Sequence, residues 1–370
     1  MNHPFILALF CAALVVACGK KKESTNEQMD YSAKADSLAH ALIIIDGHVD
    51  IPYRLRKHPE DISVRTHDGH FDYVRAQEGG ENAPFMSIYI PSEYENNGAK
   101  ALADSLIDLV DTLASHHPDK FAVATSPDQI EEQFSRGLIS LPMGMENGAP
   151  IEGDLNNLKY FYDRGIRYIT LTHAKDNHIC DSSYDTTRTW NGLSPFGEQV
   201  VKEMNRLGIM VDVSHISDSA FYDVMALTDV PVIASHSSCR YFTPGFERNM
   251  SDDMIKIMAS KGGVIHINYG CSFLDSAYAA ADNKDSVFTT VQMVADHIDH
   301  VVKIAGIDHV GFGSDFDGVT CLPRGLEDVS MMPNLIAELL KRGYSDEDIS
   351  KICYKNTFRV WRAVEAAAGT

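Results

Sequence analysis

The hydrophobic positions of this chain fall into eight short runs, and a polar or helically spaced segment follows each run. The runs are nearly continuous in apolar character, which is typical of parallel strands that are covered on both faces. They lie at Leu42–Ile45, Met86–Ile90, Gly137–Leu141, Arg167–Leu171, Ile209–Val213, Val230–Ala234, Gly263–Ile267 and His309–Phe312. This alternation predicts an α/β fold, a (β/α)8 TIM-like barrel, with an open doubly wound sheet as the alternative.

The segments between the runs carry helix signals. Ser194 and Pro195 supply an N-cap and a proline at the first helical position, and Gly208 is placed to end that helix. Two connections are long: residues 52–84 follow the first predicted strand, and residues 271–290 follow the seventh. In a barrel both would lie on the rim where the strands end, and we expect them to wall a pocket.

The N-terminus does not read as part of the fold. Phe5 to Ala17 is an apolar run that is short for a membrane span and resembles the hydrophobic region of a secretory signal. Small residues before Cys18 resemble the lipobox of bacterial lipoproteins, and an ordinary signal peptide is the alternative. We therefore expect a signal peptide at 1–17, a lipidated polar tether at 18–40 and one catalytic domain at 41–370. Such a protein would be exported and anchored to a membrane of the bacterial envelope through Cys18.

Charge and cysteine content narrow the class of protein. The formal net charge is -20 at pH 7, which disfavours nucleic acid or an anionic membrane surface as a partner. The chain has 7 cysteines and no CxxC pair, which argues against a thiolate zinc site. Cys239 and Cys271 follow neighbouring predicted strands, so they either form a disulfide or remain small buried thiols.

Five imidazole or carboxylate residues stand at the ends of four predicted strands. They are His48, Asp50, Glu146, His215 and His236. Residues two apart on a strand share a face, so His48 and Asp50 could hold one divalent ion. His215 and His236 could hold a second, and a buried Glu146 would need a cation or partner and could bridge the two. Each residue taken alone is more often structural, but five at one barrel rim predict a two-metal hydrolase.

Two further residues have predicted roles in the reaction. Asp315 lies in a glycine-flanked turn after the eighth predicted strand and would face the site as a general acid and base. His173 follows the fourth predicted strand and could stabilise an oxyanion, although a structural histidine is an equal alternative there.

Several segments of the chain resemble the membrane dipeptidase (renal dipeptidase) family. The resemblance rests on Asp46-Gly47-His48-Val49-Asp50, Leu171-Thr172-His173, Asn191-Gly192-Leu193-Ser194-Pro195-Phe196-Gly197, Asn205-Arg206-Leu207-Gly208, Val213-Ser214-His215, Ser235-His236-Ser237-Ser238, Arg248-Asn249 and Gly313-Ser314-Asp315-Phe316-Asp317-Gly318. It extends from about Ile43 to Val364. Asn147-Gly148 after the glutamate, where family members often have two glycines, and the length of the loop after His173 depart from the family pattern.

The resemblance implies a dipeptidase with two zinc ions per chain that cleaves free dipeptides by a metal-bound hydroxide. It implies His48 and Asp50 on one ion, His215 and His236 on the other, and Glu146 between them. It also implies Asp315 as acid and base, His173 at the substrate oxygen, and Arg248 on the substrate carboxylate. The first group is the predicted metal site. Asp315 and His173 are the predicted catalytic residues, and His173 and Arg248 are the predicted substrate-binding residues.

Two other functions remain open at this point. Another barrel metal hydrolase, such as a lactonase or deaminase, would share the metals but would not need Arg248. A non-catalytic binding lipoprotein could keep the barrel without turnover. The sequence also leaves open a homodimer, the metal used in the cell and the preferred dipeptide.

Overall fold

The computed structural model describes Met1 and residues 30–369, and in it eight parallel strands close into a barrel. The barrel strands are β1 (Ile45–Val49), β2 (Ala83–Tyr89), β5 (Met143–Glu146), β6 (Ile166–Thr170), β7 (Met210–Asp212), β8 (Ile233–Ser237), β9 (Val264–Ile267) and β10 (Val310–Phe312). Their order around the ring is β1-β10-β9-β8-β7-β6-β5-β2. The predicted (β/α)8 barrel is confirmed.

Helices surround the barrel and connect its strands. They are α1 (Ser32–Ala41), α2 (Ile51–Lys57), α3 (Tyr73–Gly79), α4 (Ala99–His116), α5 (Pro127–Ser135), α6 (Asn156–Asp163), α7 (Pro195–Leu207), α8 (Asp218–Leu227), α9 (Asp252–Ser260), α10 (Cys271–Leu274), α11 (Ser276–Ala280), α12 (Val291–Ala305), α13 (Met332–Lys341), α14 (Asp346–Ser350) and α15 (Asn356–Ala367). The N-cap and the helix end predicted from the sequence are present at α7. The Ser194 hydroxyl accepts a hydrogen bond from the Gly197 amide at 2.9 Å, and Gly208 adopts a left-handed φ of 81°.

The third predicted strand was wrong as a barrel strand. Ile139–Leu141 is β4 of a separate two-stranded sheet with β3 (Phe121–Val123), and Met143–Glu146 enters the barrel instead. Pro142 separates the two segments and has no amide hydrogen to donate to a ladder. The apolar run is continuous across this proline, so hydrophobicity could not show which half pairs with the barrel.

The bottom of the barrel is closed by the C-terminal helix. Trp361 on α15 is fully buried, and its ring centre lies 5.2 Å from that of Phe85 on β2. Ile45, Ile233 and Val264, at the starts of their strands, belong to the same apolar cluster. Because this cluster seals the amino-terminal ends of the strands, the polar residues collect at the opposite rim.

The folded unit begins before residue 41, the boundary expected from the sequence. Ala35 and Ala39 on α1 are fully buried in the main apolar core, so part of the expected tether is a packed helix. The predicted signal peptide and Cys18 lie outside the described residues. Within residues 30–369, no helix is both long enough and apolar enough to span a bilayer.

The disulfide differs from the pair considered above. Cys271 bonds to Cys321, whereas Cys239 is a buried free thiol. Cys271 follows β9 and Cys321 follows β10, and the Cys271 amide donates to the Cys321 carbonyl at 3.1 Å. Neighbouring parallel strands bring these two loops together, and only the fold reveals that proximity.

Candidate metal centre and active site

A cavity of about 650 Å³ opens at the carboxyl-terminal ends of the barrel strands. Polar and aromatic side chains from several loops line it: Asp50, Tyr53, Tyr89, Glu146, His173, Tyr184, His215, Phe273, Asp315 and Asp317. The rim of a (β/α)8 barrel carries the chemistry of such enzymes. Five of the residues selected from the sequence therefore line one pocket: Asp50, Glu146, His173, His215 and Asp315.

The carboxylate of Glu146 lies at the centre of four imidazoles. Its Oε1 is 3.1 Å from His215 Nε2, 3.3 Å from His236 Nε2 and 3.6 Å from His173 Nε2. Its Oε2 is 3.4 Å from His48 Nε2. Burial opposes ionisation of Glu146, but His48 and the other imidazoles hold the pKa of this carboxyl well below its usual range. Each oxygen of this charged carboxylate therefore faces at least one imidazole nitrogen.

His48 and Asp50 form one side of this cluster. His48 Nε2 is 3.5 Å from Asp50 Oδ2, although β1 ends at Val49 and Asp50 begins the turn into α2. The other ring nitrogen of His48 lies 2.8 Å from the Tyr168 hydroxyl, which donates to the Gly47 carbonyl at 3.0 Å. Tyr168 therefore fixes the His48 ring so that Nε2 faces the carboxylates of Asp50 and Glu146.

His215 and His236 face Oε1 of Glu146, and the His236 ring also stacks on His48, with ring centres 3.8 Å apart. The Nε2 atoms of His215 and His236 lie 2.8 Å apart, and His236 Nδ1 is 2.7 Å from the Ser235 hydroxyl, which donates to Asp212 at 2.6 Å. Burial lowers the pKa of both imidazoles well below the usual value, so both rings are neutral and present lone pairs. His215 has a left-handed φ of 69°, a conformation that non-glycine residues seldom adopt and that clusters at functional sites.

These residues fit divalent metal ions. Three triads bring ligand atoms within 4.8 Å of one another: His48, Glu146 and His236; Glu146, His173 and His215; and His48, Asp50 and Asp315. Among the described residues, His48 Nε2, Asp50 Oδ1 and His215 Nδ1 are buried without a hydrogen-bond partner. Buried polar atoms require a partner, and a mixed imidazole and carboxylate set suits zinc and similar ions.

Asp315 faces the same cavity from the turn after β10. Its φ is 63°, and its Oδ2 accepts a hydrogen bond from the Asn268 side chain at 2.8 Å. Burial, together with the negative charge of Asp50, raises the pKa of Asp315 to about 7. A Cβ atom on Gly318 would lie 2.2 Å from Asp50 Oδ2 and 2.3 Å from Asp315 Oδ1, so glycine leaves room for both carboxylates.

His173 lies beside the metal-ligand candidates and against an aromatic wall. Its ring centre is 4.3 Å from that of His215 and 4.8 Å from that of Tyr89. Burial lowers the pKa of His173, which favours a neutral ring that can donate one hydrogen bond. No residue of the described chain bonds to its Nδ1.

Arg248 is buried and is not an exposed surface residue. Its guanidinium donates to the Ser237 hydroxyl at 2.7 Å and to the His236 carbonyl at 2.8 Å, and it lies 5.2 Å from the ring centre of Phe273. No carboxylate within residues 30–369 forms an ion pair with it. A buried guanidinium without a counter-ion is suited to receive a carboxylate ligand.

Sequence reasoning missed several residues that shape this site. Asn268 follows β9 directly, and the strand-end rule that selected His215 would also have found it. Tyr168 lies inside a strand among apolar residues, and Tyr53, Tyr89, Tyr184 and Phe273 gave no local signal. Their positions at the cavity depend on the closed barrel and on the course of its loops.

The barrel and the convergent ligands define a metal-dependent hydrolase. A family model described as membrane dipeptidase (Peptidase family M19) matches residues 32–370. The chain belongs to this family, and it is a metallo-dipeptidase by class.

Solved structures agree with that assignment. The probable dipeptidase PvdM from Pseudomonas aeruginosa is 26% identical with a TM-score of 0.83, over 91% of this chain and 99% of that chain. A metallopeptidase from Rhodobacter sphaeroides, liganded with a phosphinate mimic of the dipeptide L-Ala-D-Ala, is 27% identical with a TM-score of 0.79, over 87% and 99%. The dipeptidase AC, a family M19 metallopeptidase, is 29% identical with a TM-score of 0.80, over 89% and 99%.

Proposed function

We propose that the protein is a binuclear zinc dipeptidase that cleaves free dipeptides. One observation carries the proposal: Glu146 Oε2 lies 3.4 Å from His48 Nε2, and Glu146 Oε1 lies 3.1 Å from His215 Nε2 and 3.3 Å from His236 Nε2. A carboxylate between two sets of nitrogen ligands is the arrangement that two adjacent cations require. His48 and Asp50 would hold one zinc ion, His215 and His236 the other, and Glu146 both.

The reaction needs proton transfer that the chain itself can perform. Two zinc ions would make a water acidic enough to attack near neutral pH and would polarise the substrate carbonyl. Asp315 would take the proton of the attacking water and deliver it to the leaving amine. His173 is placed to donate a hydrogen bond to the carbonyl oxygen as negative charge develops there.

Arg248 supports the choice of a dipeptide as substrate. Its guanidinium is fixed by Ser237 and His236, so its distance from the ligand cluster is set by β8. The carboxylate of a dipeptide lies one residue beyond the bond to be cut, whereas a tripeptide places an amide there. The dipeptide mimic bound to the Rhodobacter sphaeroides relative supports the same substrate class.

The test combines metal analysis with a substrate panel on the purified chain. We expect two zinc ions per chain, loss of activity on chelation and recovery when zinc is restored. Ala-Ala should be cleaved, and Ala-Ala-amide and Ala-Ala-Ala should be poor substrates by roughly a hundredfold, because an unpaired buried guanidinium costs a few kcal/mol. Full activity without metal, or equal cleavage of Ala-Ala and Ala-Ala-amide, would contradict the proposal.

We also propose that the protein is exported and lipidated at Cys18, since small residues precede this cysteine after an apolar run. Growth with an alkyne-bearing palmitate should label the full-length protein in the membrane fraction, and Cys18→Ser should abolish the label. Equal labelling of the variant would contradict lipidation at this residue.

A further inference from the structure

Two tyrosines form one wall of the active-site cavity and have no role in the proposed reaction. Tyr53 lies on α2 and Tyr89 ends β2, and both line the cavity. Their ring centres are 5.0 Å apart with an interplanar angle of 79°, an edge-to-face contact that fixes both rings. Tyr89 also packs against His173, so the wall adjoins the point where the peptide bond would lie.

The strand order places this wall across the barrel from Arg248. Arg248 is held by Ser237 and the carbonyl of His236, both on β8. In the closed ring β1-β10-β9-β8-β7-β6-β5-β2, β8 is four steps from β2 in either direction. A dipeptide with its carboxylate on Arg248 would extend about 7 Å, at 3.3–3.6 Å per residue. Its amino-terminal residue would then point towards β1 and β2.

We propose that Tyr53 and Tyr89 form a subsite for the side chain of the amino-terminal residue, selecting dipeptides in which that side chain is large and apolar or aromatic. This inference rests on the proposed dipeptidase function and extends it to a substrate class. A large apolar side chain that packs against these two rings is removed from water, and this burial favours binding. Glycine has no side chain to bury there and would leave the rings exposed to water.

Charged amino-terminal side chains do not suit this wall. A charged side chain packed against the two rings would lose its hydration without gaining an ion-pair partner from them.

The experiment measures kcat/KM of the zinc-loaded enzyme for Phe-Ala, Leu-Ala, Gly-Ala, Lys-Ala and Glu-Ala. We expect Phe-Ala and Leu-Ala to exceed Gly-Ala by on the order of tenfold or more, since even one methylene group in an apolar pocket can change kcat/KM about tenfold. Lys-Ala and Glu-Ala should be no better than Gly-Ala. Equal values for Phe-Ala and Gly-Ala, or a preference for Lys-Ala or Glu-Ala, would overturn the subsite while leaving the dipeptidase function intact. Failure to cleave any dipeptide would overturn both.

Variants locate the subsite. Tyr53→Ala should reduce the ratio of kcat/KM for Phe-Ala to kcat/KM for Gly-Ala severalfold. The change should come chiefly from a higher KM for Phe-Ala, and zinc content should stay unchanged. Tyr222→Ala is the matched control, because Tyr222 is an exposed tyrosine on α8 outside the cavity lining. It should leave the ratio unchanged. An equal loss for both substrates in Tyr53→Ala would indicate a structural role and overturn the assignment, and the panel on the unmodified enzyme tests the subsite even if that variant does not fold.

Discussion

Arg188 and Glu247 form an ion pair that joins two loops of the active-site rim. Arg188 lies in the loop between β6 and α7, which also carries His173 and Tyr184, and it donates to the Ser182 carbonyl. Glu247 immediately precedes Arg248, and its other oxygen accepts from the Asp218 amide at 3.0 Å. The pair therefore holds the loop of Arg248 against the loop of Tyr184.

Removing the charge of Glu247 should loosen that contact. We expect Glu247→Gln to raise KM for Ala-Ala by roughly threefold to tenfold, with a smaller effect on kcat, because a partly buried ion pair contributes modestly. Steady-state kinetics measure this change. Glu203→Gln, in the Arg206–Glu203 pair on the outer face of α7, is the control and should have no effect. An unchanged KM in Glu247→Gln would show that the pair does not position Arg248.

Loss of the central carboxylate should affect both metal ions. Glu146→Gln keeps the shape of the side chain but removes the charge shared by the two sides of the site, so zinc content should fall below two per chain. Elemental analysis after dialysis checks this expectation, and Glu203→Gln should retain both ions. Two zinc ions in Glu146→Gln would contradict the bridging role.

The variant Asp315→Asn distinguishes two possible roles of Asp315, that of a proton carrier and that of a metal ligand. If Asp315 carries the proton, kcat should fall about a hundredfold or more while zinc content stays unchanged. Loss of zinc would instead assign Asp315 to the triad with His48 and Asp50. Asp317→Asn is the neighbouring control, because its carboxylate accepts from the His70 amide at 2.6 Å and lies beside Arg54, and it should lower kcat less.

Arg248 should determine selectivity for substrate length. Arg248→Met removes the guanidinium and should lower kcat/KM for Ala-Ala by roughly a hundredfold, while Ala-Ala-amide changes little. The ratio of kcat/KM for Ala-Ala to kcat/KM for Ala-Ala-amide would then approach one. A variant that still distinguishes them as the unmodified enzyme does would assign carboxylate recognition to another residue.

Glu81 should make stability depend on pH. Its carboxylate is fully buried, and no residue of the described chain donates a hydrogen bond to it. Burial, together with Asp46, raises the pKa of Glu81 well above the usual 4.5. The folded state thus holds a proton that the unfolded chain releases, so the stabilising contribution is complete below pH 4.5 and is lost as pH rises towards the folded pKa.

Glu81→Gln tests this dependence, because glutamine removes the titration. The difference in Tm between the variant and the unmodified chain should become more positive between pH 5 and pH 8, by roughly 1–3 °C. Thermal unfolding at several pH values measures it. A difference that is constant with pH would contradict a raised pKa at Glu81.

The sequence by itself determined the barrel and the residues at its rim. His215 and Asp315 each follow a short apolar run, and a parallel strand buried on both faces has that local signature. Because every strand of a (β/α)8 barrel ends at the same rim, strand-end polar residues could be expected to converge without knowledge of any distance.

Only the tertiary structure decided which segments and side chains meet. It placed Met143–Glu146 in the barrel instead of Ile139–Leu141, paired Cys271 with Cys321, and buried Arg248 against Ser237 and Phe273. The physical reason is that hydrophobic periodicity reports whether a residue is buried but not against which partner. Ring closure and loop contacts join residues far apart in the chain, and these contacts set the lining of the cavity and the surroundings of Arg248.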